Sequence, residues 1–599
     1  MFQSFQSTAR PEQGPPRLAT LRARLAAEGL TGFIVPRADA HQGEYVAPHD
    51  ERLAWLTGFT GSAGFCIVLP DVAGVFIDGR YRTQVKSQVD LAHFTPVPWP
   101  DIKPGDWLKE KLGGGVIGFD PWLHTADEIA KIEAALAGTA ITLKPTSNLI
   151  DAIWEDQPPP PKGRVLAHPL EFAGESAADK RARLAAELRA AGQKSAVITL
   201  PDSISWLLNI RGSDIARNPV VQAFAVLFND GRLTLFIDPA KLDDDLRAHL
   251  GPEVTLAAPE AFTAALTALS GPVRTDRGTA PLAVWQILEG AGVTAAAGAD
   301  PCLLPKARKN ASEIEGMRIA HLRDAGAMVE FLAWLDANAP GDLTEIDVVQ
   351  KLEGFRRATN ALREISFETI CGAGPHGAIM HYRVTEETKR SLGEGELLVV
   401  DSGGQYPDGT TDITRTIAIG APSEEARACF TRVLQGMIAI SRARWPVGLT
   451  GRDLDGFARY PLWLAGQDFN HGTGHGVGAY LSVHEGPQRL ARSSEVPLEP
   501  GMILSNEPGY YREGAFGIRI ENLVVVEGAP DLPGADDRAM YSFETLTFVP
   551  IDRRLVETAM LSQPERDWLN AYHAEVREKI GPRVGETARS WLEAVTAPI

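Results

Sequence analysis

The chain has 599 residues, 44% hydrophobic and 23% charged, which is enough apolar material for several domains. Its net charge of −18, from 59 basic and 77 acidic residues, argues against nucleic acid or an anionic membrane as a partner. No apolar run approaches the roughly 18 residues of a membrane span, and the N-terminus lacks an apolar signal segment. The 4 cysteines form no CxxC pair, so we expect a cytoplasmic protein without disulfides or a thiolate metal site.

A short pattern occurs twice in the first half of the chain. The heptapeptide RARLAAE stands at Arg22–Glu28 and again at Arg181–Glu187. Each copy is followed by an apolar run, a W-L-x-x-(F/I)-x-G-S segment and the tripeptide FID. This fixed order predicts two related α/β domains in tandem, each with a helix, a strand, a turn at the W-L segment and a second strand.

Composition also predicts where the domains end. The proline run in EDQPPPPKG, residues 155–163, predicts an extended linker. We therefore predict four segments: 1–157, 158–304, a third domain at 305–545, and a C-terminal extension at 546–599 whose helix packs on the third domain. A long helix opens that third domain, and Ser312 and Glu315 predict a capping box at its start.

Two aspartates lie at the edges of apolar segments in the third domain. LLVV predicts a buried strand that ends at Asp401, and DITRTIAI predicts a second strand on which Asp412, Thr414 and Thr416 share one face. The two strands would form a hairpin with one aspartate on each arm, facing the same space. The alternative is that both aspartates are solvated turn residues.

Two glutamates follow further along. Glu507 comes at the end of an apolar strand and before a Pro-Gly turn, and we expect Glu521 inside an apolar strand. Buried carboxylates are usually paired or bound to a metal. The alternative for Glu521 is a salt bridge, for example with the neighbouring Arg519.

Histidine and glycine are concentrated in HGTGHGVGAYLSVHEGP, residues 471–487. The glycines argue against a helix. In an extended chain His471, Thr473 and His475 share one face, but the two histidines stand roughly 13 Å apart and cannot easily bind the same ion. One is then a ligand and the other a supporting or substrate contact, with His484 a third candidate. Each histidine could instead be structural.

A metal centre accounts for these residues together. Four carboxylates in one cavity would repel each other, and two divalent cations would balance them. Oxygen-rich ligation with one nitrogen favours Mn²⁺, and two such ions indicate metal-assisted hydrolysis. The proposed ligands are Asp401, Asp412, His475, Glu507 and Glu521.

These motifs resemble the pita-bread metallopeptidases, peptidase family M24, which include methionine aminopeptidase, prolidase and aminopeptidase P. The resemblance is carried by two aspartates eleven residues apart, HGTGHGVG, NEPG and RIEN. It implies that Asp401 binds one ion, that Asp412 and Glu521 bridge both, and that His475 and Glu507 complete the other. Glu507 would also handle the proton of a water whose hydroxide bridges the two ions.

Over nearly its whole length the chain is similar to the three-domain Xaa-Pro aminopeptidase branch of this family, in segments such as GAIMHYR and VHEGPQ. The resemblance implies two creatinase-like α/β domains before a pita-bread domain, and a homodimer. It also implies release of the first residue from peptides with proline second. His381, His471 and His484 would contact the substrate and stabilise charge in the tetrahedral intermediate. Arg80 would reach the substrate from the first domain.

Three other functions stay open. A prolidase would cleave Xaa-Pro dipeptides, although the additional repeated domain argues against it. A catalytically inactive relative would use the fold only to bind a peptide or protein. A creatinase-like enzyme would hydrolyse C–N bonds without metal, and would be expected to lack some of the carboxylates, of which none is missing here.

Overall fold

A computed structural model describes residues 1–599. Its internal contacts define two compact units. The C-terminal unit comprises Met1–Ser7, Glu171–Gly174 and Leu304–Ile599, and the N-terminal unit comprises Thr8–Leu170 and Glu175–Leu303. The boundaries at 157/158 and 545/546 remain predictions.

The first half of the N-terminal unit begins with a helix that buries Leu18, Leu21 and Leu25 along one face. Alternating strands and helices follow. The elements are α1 (Gly14–Ala27), β1 (Gly32–Pro36), α2 (Arg52–Thr57), β2 (Phe65–Val68), β3 (Ala73–Ile77), α3 (Val85–Gln88), β4 (Thr95–Pro98), α4 (Pro104–Lys111), β5 (Gly115–Phe119), α5 (Ala126–Leu136) and β6 (Ile141–Pro145).

The second half repeats this arrangement. Its elements are β7 (Leu166–Ala167), α7 (Ala177–Ala190), β8 (Ser195–Ile198), α8 (Pro201–Leu207), β9 (Ile210–Arg211), β10 (Phe224–Phe228), β11 (Leu233–Phe236), α9 (Asp244–Leu250), β12 (Val254–Ala257), α10 (Phe262–Thr267), β13 (Val273–Thr275), α11 (Leu282–Gly290) and β14 (Ala295–Ala297). The short helix α6 (Leu170–Ala173) lies between β7 and α7 along the chain, and its last three residues belong to the C-terminal unit.

The two six-stranded sheets of this unit have the same topology. Their orders are β4-β3-β2-β1-β5-β6 and β12-β11-β10-β8-β13-β14. In each sheet the first three strands along the chain pair antiparallel with one another. The other three pairings in each sheet are parallel. The predicted repeat is confirmed. The turn predicted at the W-L segments begins later than expected, because Trp55 and Trp206 lie within α2 and α8, which end at Thr57 and Leu207.

The C-terminal unit mixes long helices with mostly antiparallel sheets. Its elements are α12 (Leu303–Ala307), α13 (Ala311–Asn338), α14 (Glu345–Ala358), β15 (Glu364–Ile365), β16 (Ile370–Ala373), β17 (Leu397–Ser402), β18 (Gly404–Tyr406), β19 (Gly409–Thr410), β20 (Ile413–Ala418), α15 (Glu424–Ser441), β21 (Arg444–Pro446), α16 (Gly451–Trp463), β22 (Gly474–Gly476), β23 (Glu485–Leu490), β24 (Ile503–Asn506), β25 (Gly509–Arg512), β26 (Phe516–Arg519), β27 (Asn522–Gly528), β28 (Met540–Thr545), α17 (Gln563–Ile580) and α18 (Glu586–Val595).

Two sheets of this unit carry the predicted ligands. One is β16-β17-β20 and the other is β21-β28-β27-β24-β22-β23. Strands β17 and β20 pair antiparallel, with Asp401 opposite Thr414, and Asp412 directly precedes β20. The connection between them is more than a hairpin turn, because it contains β18 and β19, and β18 pairs with both β15 and β19 in a separate sheet.

Two local predictions for this unit are wrong. Glu521 does not lie inside a strand: it falls in a two-residue break between β26 and β27, where the chain leaves a two-stranded ribbon and enters the six-stranded sheet. The capping box of α13 uses Asn310 and Glu313 rather than Ser312 and Glu315. Asparagine accepts the same hydrogen bond as serine, and the helix therefore begins two residues earlier than predicted.

The predicted C-terminal helix is confirmed as α17, and it packs as expected. Leu569 and Tyr572 are buried in the main core of the C-terminal unit, and Trp568 packs against that core. No helix of the chain combines the length and apolar character that crossing a membrane requires.

Candidate active site

Carboxylates and one imidazole converge where the two sheets of the C-terminal unit meet. Asp412, His475 and Glu521 each bring one ligand atom to within 4.8 Å of the other two. Nε2 of His475 lies 3.5 Å from Oδ2 of Asp412 and 3.5 Å from Oε1 of Glu507. Asp401 is close enough to act electrostatically on both Asp412 and Glu521. The structure therefore brings all five predicted ligands together.

Each side chain reaches this place from a strand or from a residue beside one. Asp401 is the fifth residue of β17, His475 is the centre of β22, and Glu507 directly follows β24. The break at Glu521 directs its backbone N–H to the carbonyl of Thr414, while Oγ1 of Thr414 donates to Oε2 of Glu521 at 2.8 Å. The break thus holds Glu521 against β20.

The ring of His475 is held in one tautomer. Its Nδ1 lies 2.9 Å from the carbonyl oxygen of Gly476, and since a carbonyl only accepts, Nδ1 carries the hydrogen. The lone pair is then on Nε2, the atom that faces Asp412 and Glu507. This arrangement is typical of a histidine that binds a metal.

The glycines permit a very close backbone approach. A Cβ on Gly474 would lie 1.8 Å from the carbonyl oxygen of Ser505, and one on Gly476 would lie 2.3 Å from that of Glu485. Ser505 in turn accepts a hydrogen bond from the backbone N–H of His475 and donates one to Glu507. The absence of Cβ atoms therefore lets β22 sit against β24 and places its histidine beside Glu507.

Charge in this cluster is poorly compensated by the protein. Burial raises the pKa values of Asp412 and Glu521 well above the usual carboxyl range, and neighbouring carboxylates raise both further. Burial also raises the pKa of Glu507. Arg519 is the buried cation beside them, with Nη2 2.6 Å from Oδ2 of Asp401.

Two buried oxygens of the cluster accept no hydrogen bond: Oδ1 of Asp401 and Oε1 of Glu521. Leaving such atoms unsatisfied is costly unless a cation or another donor is available. Together with the free lone pair on His475, these oxygens form a donor set suited to hard or borderline divalent cations. The residues present therefore fit a metal centre.

The other predicted histidines surround the cluster. The ring of His484 lies 4.3 Å from that of His475, edge to face. His471 is outside the cluster: its Nδ1 contacts the carbonyl of Gly472 at 2.7 Å, and its Nε2 lies 2.9 Å from the hydroxyl of Tyr511. His381 is partly exposed and directly follows Met380, whose carbonyl accepts from Arg519.

Arg80 belongs to the N-terminal unit. There its guanidinium donates to Asp78 and lies 3.7 Å from Oε1 of Glu44. Its role towards a substrate remains a prediction.

Two residues of the site were not assigned by sequence reasoning. Tyr511 accepts a hydrogen bond from Arg519 at 2.7 Å and links it to His471. Arg519 was considered only as a partner for Glu521. A charged residue two positions before Glu521 in an apolar run was a usable signal for Arg519, whereas no signal marked Tyr511.

Comparison with known proteins decides the family. Residues 315–528 match metallopeptidase family M24, and residues 539–599 match the C-terminal region of these peptidases. Residues 17–153 and 156–313 each match the creatinase/prolidase N-terminal domain. Aminopeptidase P2 of Arabidopsis thaliana is 38% identical, over 97% of this chain and 88% of its own. The chain belongs to metallopeptidase family M24.

Other M24 relatives match over equal lengths. A probable Xaa-Pro aminopeptidase P of Laccaria bicolor is 40% identical, over 97% of this chain and 93% of its own. The crystal structure of X-prolyl aminopeptidase from Caenorhabditis elegans, described as a cytosolic enzyme with a di-nuclear active site, superimposes with a TM-score of 0.93. It is 34% identical and covers 98% of this chain and 99% of its own. The predicted fold, two creatinase-like domains followed by a pita-bread domain, is confirmed.

Proposed function

We propose that this M24 member is a metal-dependent aminopeptidase that hydrolyses the first peptide bond of chains with proline in second position. The observation that carries the proposal is the cluster of four carboxylates and one tautomer-fixed imidazole in the C-terminal unit. Its support is the similarity, along the whole chain, to relatives named Xaa-Pro aminopeptidases.

The proposed cofactor is a pair of divalent ions, which we propose to be Mn²⁺ because the donor set is oxygen-rich with one nitrogen. Asp401, Asp412, His475, Glu507 and Glu521 would hold them. The di-nuclear site of the Caenorhabditis elegans enzyme supports two ions. When bound, such ions polarise a carbonyl and lower the pKa of a shared water, so that it is a hydroxide at neutral pH.

Proton transfer is assigned to Glu507. Its carboxylate is buried, its Oε1 accepts from the hydroxyl of Ser505 at 3.1 Å, and burial raises its pKa. A carboxylate with a raised pKa accepts a proton at neutral pH more readily than an ordinary one. We propose that Glu507 takes the proton that the attacking water loses.

Substrate orientation is assigned to the three histidines. His471 is held by Tyr511, which Arg519 fixes in turn, so its ring is oriented before a peptide arrives. The ring of His484 packs against that of His475. His381 directly follows Met380, whose carbonyl accepts a hydrogen bond from Arg519. We propose that these histidines bind the peptide and stabilise charge on the scissile carbonyl. We propose that Arg80 contacts the substrate as well.

The proposed specificity follows from the chemistry of proline. An Xaa-Pro bond is a tertiary amide without an N–H group, and the ring fixes the backbone angle φ near −65°. Peptidases that bind the N–H of the second residue therefore lose a contact with it. A site that binds the carbonyl and the shape of the ring loses no contact, because it does not use the N–H of the second residue.

We also propose a homodimer. Helix α16 and the residue that caps its C-terminus expose an apolar stripe: Phe457, Tyr460, Trp463 and Leu464 are 50%, 58%, 44% and 72% exposed. Their spacing of three to four residues places them on one face, while Leu454, Ala458 and Leu462 are buried on the other. Exposed apolar patches of this kind mark association surfaces. A second copy of this chain is the proposed occupant.

A cytoplasmic location is proposed as well. The four cysteines are free thiols and all are buried. The Caenorhabditis elegans enzyme is described as cytosolic.

The test is a cleavage assay on chelator-treated protein with and without added Mn²⁺. The substrates are an Arg-Pro-Pro tripeptide, an Arg-Pro dipeptide and an Arg-Ala-Pro control. We expect release of arginine from Arg-Pro-Pro only when metal is present. The variant E521Q should lose metal and activity, whereas E544Q, which changes a partly exposed glutamate paired with Arg318, should retain both.

Each other outcome selects a different function. Preference for the dipeptide would indicate a prolidase. Hydrolysis that persists without metal would favour a creatinase-like reaction. Binding of the peptide without hydrolysis by any divalent ion would indicate an inactive binding protein.

A further inference from the structure

Arg459 of α16 uses all five of its N–H groups. Nε and Nη2 donate to the carboxylate of Asp455 one turn earlier, at 2.7 and 3.2 Å. Nη1 donates to Asp468 and to the carbonyl of Phe469, both at 2.8 Å. The remaining Nη2 hydrogen goes to the carbonyl of His471 at 2.6 Å. The side chain is 3% exposed, so these contacts replace water almost entirely.

Asp455 also binds the chain two residues beyond His471. Its Oδ1 accepts from the hydroxyl of Thr473 at 2.7 Å, and Thr473 is fully buried. The carbonyl of Thr473 accepts from the backbone N–H of Glu507 at 2.8 Å. One ion pair on α16 therefore binds the chain at 471 and at 473, on both sides of Gly472.

Packing supports the hydrogen bonds. The guanidinium carbon of Arg459 lies 3.9 Å from the centre of the Phe469 ring, and that ring lies 4.8 Å from the ring of His471. The imidazole of His471 then reaches Tyr511, which is bonded to Arg519. The main chain of His471 is thus held from α16 and its ring from β25.

We propose that Arg459, oriented by Asp455, is a positioning residue that sets the place of His471 in the substrate site. Its effect on catalysis rests on the proposed function, whereas its effect on the position of His471 does not. A glycine-flanked histidine has little backbone restraint of its own, because Gly472 permits many conformations. The five hydrogen bonds that Arg459 donates supply that restraint.

Lysine cannot replace this arginine. A guanidinium presents a rigid planar fork, while an ammonium presents three donors from one point. A lysine at 459 would keep the charge opposite Asp455 but could not also reach Asp468 and the carbonyls at 469 and 471. Arg492 provides a matched control, since it pairs with Asp468 and lies 3.9 Å from Asp455, yet is 63% exposed.

The first test is crystallographic, on R459K and R492K. In R459K we expect Nε2 of His471 to move from 2.9 Å to beyond about 3.5 Å from the Tyr511 hydroxyl, outside hydrogen-bond reach. In R492K the distance should be unchanged. An R459K structure that retains the bond would overturn the proposal. If R459K does not fold, D455N, which keeps an acceptor for Thr473 but holds the guanidinium less firmly, is judged by the same distance.

The second test is a double-mutant cycle on Arg-Pro-Pro hydrolysis with metal content measured in parallel. R459K should lower kcat/KM at least about tenfold in the wild-type background and less than about twofold in H471A, because the two changes act through one residue. Equal losses in both backgrounds would indicate a merely structural role and contradict the proposal. Wild-type protein that cleaves no Xaa-Pro peptide would contradict the proposed function, while the distance in R459K still decides the positioning.

Discussion

Arg519 pairs with Asp401 rather than with Glu521, although Glu521 is only two residues away along the chain. Nη2 of Arg519 lies 2.6 Å from Oδ2 of Asp401, and both side chains are buried. The pair joins the strand β26 to β17 across the site. This buried cation thus pairs with the aspartate, and the carboxylate of Glu521 accepts instead from the hydroxyl of Thr414.

Removing this cation should destabilise the C-terminal unit. R519M leaves Asp401 as a buried charge without its partner, which typically costs about 3–5 kcal/mol. We expect a clear fall in the melting temperature of chelator-treated protein, measured by calorimetry. R512M is the control, since Arg512 on β25 pairs with exposed Glu425 and should cost within about 0.5 kcal/mol. Equal melting temperatures for the two variants would contradict this reading of Arg519.

The backbone approach at Gly474 should not tolerate a side chain. G474A would place a methyl group 1.8 Å from the carbonyl oxygen of Ser505, so one strand must move. We expect a loss of about 3 kcal/mol in unfolding free energy, at the upper end for overpacking, together with weaker metal binding. Gly528 at the end of β27 has no atom within 4 Å of its added Cβ, so G528A should change neither quantity. Calorimetry and metal analysis of the two variants distinguish these outcomes.

The apolar stripe of α16 should control the oligomeric state. The double variant F457E/L464E places two charges on the stripe, and we expect it to sediment as a monomer where the wild type sediments as a dimer. I319E is the control, because Ile319 is an exposed apolar residue on α13. A wild-type monomer, or a dimeric F457E/L464E, would refute the homodimer.

Acid should destabilise the C-terminal unit through His573. This residue is fully buried on α17, and its Nε2 accepts from the backbone N–H of Ile551. Burial, reinforced by nearby arginines, lowers its pKa from the ordinary 6.5 to about 3. The unfolded chain therefore binds a proton that the folded chain excludes, and stability falls as the pH drops from 6.5 towards 3.

At pH 5 this loss amounts to about 2 kcal/mol, from about 1.4 kcal/mol per pH unit. The variant H573Q removes the titrating group. We expect its melting temperature to change less between pH 7.5 and pH 5.0 than that of the wild type, while H93Q, at an exposed position, behaves as the wild type does. Identical pH dependence in H573Q and wild type would exclude His573 as the cause.

The sequence predicted which residues form the site more accurately than the strands that connect them. Strand periodicity placed Thr414 and Thr416 on one face, and both now bond to the segment around Glu521. The break at Glu521 was missed because its apolar neighbours continue the pattern of a strand on both sides. A hydrophobic pattern indicates which residues are buried, but it does not show where the chain passes from one sheet to another.

The partner of Arg519 could not be predicted for a related reason. Asp401 is more than a hundred residues earlier in the chain, and only the meeting of β17 with β26 brings the two together. Local sequence patterns favour partners that are close along the chain, and for Arg519 the nearest carboxylate is Glu521. In the histidine segment the local pattern correctly excluded a helix, because the alternation of histidine with glycine already indicated a closely packed, extended backbone.

The duplicated sheet provides an internal reference for the N-terminal unit. At the end of the third strand both copies carry FID, but the first continues with Gly79 and Arg80 and the second with Pro239 and Ala240. The shared topology means that the fold itself does not require a guanidinium at this position. The second copy therefore keeps the scaffold without a cation at this position. Positions where the two halves differ in this way separate what the architecture needs from what only one copy carries.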